Sequence, residues 1–157
     1  MRGPRFLSLF AAEDFYCGGV HPDHNDEALV FDLDSGNEVN WLDMGPRSAR
    51  TLGGAEPAEA EGRLDLSAVP GLAPMLRLLD DDGCKSIFRD PPALMFWPDA
   101  KSGTLDVLPV DLPHVIQSCA LRTELTMVQA RKLGFSETLL SAIEEAHRRV
   151  VAGHSSL

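Results

Sequence analysis

The period of the apolar residues changes once along this chain. Up to about residue 121 they fall in short runs, each closed by Gly, Pro, Asn or Asp; beyond it they recur at helical spacing. A chain patterned this way keeps its strands and helices in separate blocks, which predicts an α+β fold rather than alternating βα units. Residues 5–16 read as an N-terminal strand ending at Cys17-Gly18-Gly19. Residues 28–33 and 38–42 read as a hairpin across Asp34-Ser35-Gly36-Asn37, and residues 93–97 and 104–110 as a second one across residues 99–103. Pro98, Pro109 and Pro113 lack a backbone donor and mark strand ends or edges. We therefore expect an antiparallel sheet of two hairpins plus the N-terminal strand.

Two kinds of helix interrupt or follow that sheet. Leu72, Met75, Leu76 and Leu79 are spaced for one intervening amphipathic helix, closed by Asp80-Asp81-Asp82-Gly83. At the C-terminal end Thr126 caps a helix over residues 127–133, with Gly134 after it and Phe135 packing back. Ser136 starts a longer one to about residue 152, striped by Leu139, Ile143, Ala146 and Val150. This predicts an α+β domain over 1–120, including a mobile loop at 45–63 that is poor in aromatic and branched residues. A C-terminal helical hairpin over 121–157 packs on it.

Charge narrows the partners. The chain of 157 residues carries a formal charge of −10. Residues 1–100 hold 8 basic and 18 acidic side chains, and residues 101–157 hold 6 of each. Nucleic acid and anionic membranes need clustered Lys and Arg, so neither is expected as a partner. No stretch approaches the roughly 20 apolar residues of a membrane span. Arg2 and Arg5 precede a short apolar run like that of a signal peptide, but Glu13-Asp14 follow at once. The run reads as a first strand, and the chain as a fragment or mature portion.

Few residues point to chemistry. His21-x-Asp23-His24 is the densest set of metal-capable side chains, and a metal-dependent hydrolase built on those three is the enzymatic alternative. A polar loop between strands is the simpler reading, and no cofactor is called for. The acidic run at 80–82 lacks a calcium-loop pattern and reads as solvated. No phosphate-binding glycine loop or nucleophile elbow occurs. Residues 126–143 imitate a helix-turn-helix, but the second helix starts Ser136-Glu137-Thr138 and adds Glu144-Glu145, which phosphates would repel. Cys17, Cys84 and Cys119 form no Cys-x-x-Cys pair. Cys84 and Cys119 flank the same block of strands and are the first candidates for a disulfide; three reduced thiols packed as small core residues are the alternative.

Tyr16-Cys17-Gly18-Gly19-Val20-His21-Pro22, then Phe31-Asp32-Leu33-Asp34-Ser35-Gly36 and Val39-x-Trp41-Leu42-Asp43, carry a resemblance. They are similar to a bacterial cell-envelope domain found in the extracytoplasmic part of the lysozyme-sensing anti-sigma factor RsiV and beside the catalytic domain of peptidoglycan deacetylases. The similarity covers residues 15–44, and more loosely 84–119. Val20 stands where the family has Ala, and Ser35 where it has Thr. The resemblance implies a non-catalytic binding or sensing module, extracytoplasmic in the periplasm or envelope, with a cationic protein such as a lysozyme, or a cell-wall component, as ligand. Gly18, Gly19, His21, Pro22, Asp23 and His24 are its candidate ligand-binding residues.

Overall fold

The computed structural model describes residues 1–16, 18, 23–51, 63–80, 82–88 and 91–154. It is an α+β fold with antiparallel sheets. Strand β1 (Phe6–Phe15) pairs along its whole length with β2 (Asp23–Asp32) to make a long two-stranded ribbon. Residues 23–26, expected in a loop, are thus strand, because each finds a partner in β1. After the turn at Asp32–Gly36 the expected return strand is only a bridge, Phe31 to Glu38. Asn40 then accepts the Leu42 N–H at 2.9 Å and starts helix α1 (Trp41–Met44). This buries Trp41 in the main core.

Helix α2 (Arg47–Thr51) occupies the start of the segment expected to be loop; residues 52–62 lie outside the described residues. Strand β3 (Arg63–Asp65) and 3-10 turns at Leu66–Ala68 and Ala73–Met75 follow. The helix expected over 72–80 is absent: after the single turn the chain extends into β4 (Arg77–Leu78). Its backbone is captured from outside, Arg77 N–H by Thr123 Oγ1 at 2.7 Å and Leu79 N–H by the Cys119 carbonyl at 3.0 Å. A 3-10 segment, Asp82–Phe88, leads to β5 (Ala93–Asp99) and β6 (Thr104–Val110), the second expected hairpin. Short α3 (His114–Gln117), β7 (Ala120–Leu121) and β8 (Thr123–Leu125) precede the helical pair α4 (Met127–Leu133) and α5 (Glu137–His154).

Where one sheet was expected there are three among the described residues: the ribbon, a four-stranded sheet in the order β3-β5-β6-β8, and the β4-β7 pair. The four-stranded sheet is the middle layer. Leu94, Met95, Phe96 and Trp97 are all buried, so β5 is covered on both faces. On one face Phe96 meets Trp41 and Phe135, with ring centroids 5.3 and 5.2 Å away. On the other, Trp97 stacks on Phe10 of the ribbon at 4.6 Å. The helices are set by local chemistry. Thr126 and Gln129 form a reciprocal capping box, and Gly134, at φ +92°, returns its N–H to the last turn of α4. The β5–β6 turn is fitted to α5. At Gly103, φ is +72°, and a Cβ there would come within 2.8 Å of the His147 ring. His147 Nδ1 in turn lies 2.9 Å from the Ala100 carbonyl.

One ionisable side chain is sealed inside this layer. Asp106 on β6 is fully buried, with Oδ1 accepting from Thr104 Oγ1 at 2.8 Å and Oδ2 in ion-pair contact with the half-exposed Arg122. Burial dominates and pushes its carboxyl up to about 6, with the Thr104 hydrogen bond and the Arg122 charge opposing. Between its ordinary carboxylate range and about pH 6, the folded chain keeps a proton that the unfolded chain has lost. Stability therefore falls as pH rises through that window and is level above it. Asp106→Asn removes this dependence. Denaturant titrations at pH 7 and pH 4.5 should show the wild type gaining stability on acidification relative to the variant, by about 2 kcal/mol.

Candidate functional site

A groove of about 760 Å³ opens between the free end of the ribbon, the end of β6 and helix α3. Alternation along the strands decides what the ribbon contributes. Asp14 and His24 are directly opposed in the β1–β2 register, and Asp26 lies two residues beyond His24 on the same face. The His24 ring is clasped between two carboxylates, Nδ1 lying 2.7 Å from Asp14 Oδ1 and Nε2 3.0 Å from Asp26 Oδ2. A protonated ring donates to both. The Asp14 hydrogen bond, the largest effect, raises the His24 pKa above the usual imidazole range; desolvation opposes it, and the Asp26 charge and hydrogen bond add to the rise.

The opposite wall is built by different means. At the exit of β6, Asp111 takes a left-handed backbone, φ +57°, a conformation that Asp adopts more readily than most residues. Arg63 Nη1 donates to both of its carboxylate oxygens at 2.7 Å, tying the turn to β3. The chain then enters α3 through Pro113, and Gln117 Nε2 donates to the His24 backbone carbonyl at 2.8 Å. That hydrogen bond joins the helix to the ribbon across the groove.

Helix α3 is four residues long and rests on a small core of its own. Cys84, Ile87 and Cys119 form this second buried cluster, with Leu78, Leu112, Ile116 and Ala120 packed around it. Cys84 and Cys119 are joined by a disulfide that spans 35 residues of sequence. The groove is acidic: Asp14, Asp26 and Asp111 face one guanidinium, Arg63. His24 and His114 add charge only when protonated. Such a lining offers carboxylate acceptors to cationic or hydrogen-bond-donating groups.

The structure distributes the candidate residues unevenly. His24 is in the groove, but its ring partners are Asp14 and Asp26. Asp23 precedes it in β2, and Gly18 has φ +83° with open space where a Cβ would lie. Gly19, His21, Pro22 and Cys17 lie outside the described residues. Among the described residues no group of three or more His, Cys, Asp or Glu is arranged to hold a metal ion. Asp14, Asp26, Arg63, Asp111, His114 and Gln117 are groove residues that sequence reasoning missed. Only one signal was available for them, the alternation His24-x-Asp26, which has meaning once these residues are placed on a strand.

Two measurements check this construction. The His24 imidazole, followed by NMR titration, should titrate above a free imidazole, and Asp14→Asn or Asp26→Asn should lower its midpoint. The clasp is fully present below the ordinary imidazole pKa and is lost as pH rises through the raised one, so local protection at the ribbon end should fall on alkalinisation. Replacing Cys84 and Cys119 by Ser should cost about 4 kcal/mol, from the loop-closure entropy of a 35-residue span, measured by denaturant unfolding. No protein-family model, curated protein or solved structure matches this chain.

Proposed function

We propose that the chain is a non-catalytic binding or sensing module that acts outside the cytoplasm, in the bacterial cell envelope. In this reading the acidic groove receives the cationic groups of its ligand, a basic protein such as a lysozyme or a basic cell-wall component. The observation that carries the reading is the groove wall stapled by Cys84–Cys119. Disulfides persist in oxidising compartments and are rare in reducing ones. The charge of −10 supports it too, because an acidic surface steers a basic partner to the groove. The resemblance over residues 15–44 supplies the envelope context. Among the described residues no helix is long and apolar enough to cross a membrane.

The test is calorimetric titration with a basic lysozyme at low salt, beside a second basic protein of similar size and charge. The reading expects saturable binding to the lysozyme alone, weakened about tenfold by the Asp14→Asn, Asp26→Asn double variant and by raising the salt. Absence of binding, or equal binding to both proteins, overturns the lysozyme assignment. Blocked free thiols at Cys84 and Cys119 in protein isolated from its host would overturn the compartment.

A further inference from the structure

We propose that the outward face of the β1–β2 ribbon is a docking surface for a partner whose contact surface is apolar at its centre and ringed by lysine or arginine. This goes beyond the groove and does not rest on it. Alternation assigns the two faces of the ribbon. Phe6, Ser8, Phe10, Ala28 and Val30 face the four-stranded sheet: Phe6, Ser8 and Val30 are buried, Phe10 stacks on Trp97 and Ala28 packs on the main core. The opposite face should then be polar, as in any two-stranded ribbon with one face in water.

It is not. In the register, Leu7 opposes Phe31 and Leu9 opposes Leu29, so four large apolar side chains form two adjacent cross-strand pairs on the outer face. The row continues to Leu33, whose N–H bonds the Arg5 carbonyl at 2.7 Å. Leu9 is 51% exposed and Leu33 47%. Leu7, Leu29 and Phe31 are half-buried, and they are not among the partly buried side chains packed against either hydrophobic cluster of the described residues. Single exposed apolar residues are ordinary; a contiguous ladder of them on a polar-rimmed ribbon marks a contact surface.

The rim names the partner's charge. Glu27 opposes Ala11 and Glu13 opposes Asn25 at the free end of the same face, and both carboxylates are exposed. At the other end Arg5 is engaged by Asp32 and Asp34, and exposed Arg2, bridged to Leu7, is offset by exposed Glu38, bridged to Phe31, so the side chains there carry no net positive charge. A second copy of the chain would bring the same acidic rim and an overall charge of −10 against this one. A basic rim around an apolar centre is complementary to both parts of the surface.

The probe is a synthetic amphipathic helical peptide with Leu on one face and Lys on the other, beside a peptide carrying Gln in place of Lys. Fluorescence anisotropy should show binding of the Lys peptide and at least about tenfold weaker binding of the Gln peptide. Leu9→Ser with Leu29→Ser should weaken the Lys peptide about tenfold or more. So, to a smaller extent, should Glu13→Gln with Glu27→Gln, which leaves packing untouched. Asp14→Asn with Asp26→Asn should leave it within about twofold. The proposal is overturned if only the groove variant loses the peptide, or if the outer-face variants bind as the wild type does. It is also overturned if the protein self-associates in sedimentation and Leu9→Ser abolishes that, since the face then belongs to a second copy. Thermal unfolding of each variant confirms that a lost signal is not lost folding.

Discussion

Everything else in the molecule is arranged around strands β5 and β6, whose residues are buried on both faces of the sheet. A hairpin that is apolar on both sides needs two covering layers, and the chain supplies them from its two ends. From the N-terminal end the ribbon brings Phe10 onto Trp97; from the C-terminal end α4, α5 and the turn between them bring Phe135 onto Phe96. Ala130 and Ile143 are fully buried, and His147 reaches the β5–β6 turn at Ala100. The main hydrophobic cluster accordingly runs from Phe6 to Ile143. The candidate groove is a by-product of this arrangement. It lies where Asp14 and His24–Asp26 of the ribbon meet the end of β6 and the chain leaving it.

What the sequence disclosed about this fold follows the range of the interactions involved. The β5–β6 hairpin and the α4–α5 pair are specified within a few residues, by the turn ending at Gly103, the Thr126–Gln129 capping box and Gly134. These elements lie where the pattern predicts them. The misses come from distant partners. Leu72, Met75, Leu76 and Leu79 have the spacing of a helix, yet hydrogen bonds from Thr123 and Cys119 hold that segment extended. Trp41 and Leu42 have strand composition, but the Asn40 cap and the core space beside Phe96 select a helical turn.

The candidate site was legible only in part, for the same reason. His24 is conspicuous in sequence because His21 and Asp23 stand beside it. Its ring partners in the structure are Asp14, across the ribbon, and Asp26, two residues on. Both relations exist only if β1 pairs with β2 in one particular register. The opposite wall is more remote still: Arg63 and Asp111 are 48 residues apart, and Gln117 is 93 from His24. Neither relation leaves a trace in local pattern.

The position of the disulfide has a consequence for the order in which the chain can assemble. Cys84 and Cys119 lie on either side of the β5–β6 hairpin, so the covalent loop encloses the central pair of strands. Strands β4 and β7, which pair Leu78 with Ala120, lie just outside it. In the reduced chain that pairing must close a long loop. In the oxidised chain the two strands are near neighbours through the cross-link, and most of the closure entropy has already been lost. The bond thus lowers the effective contact order of the sheet's surroundings, converting a slow non-local search into a nearly local one. A chain that is oxidised before it folds starts with the hairpin confined and the seat of α3 almost assembled.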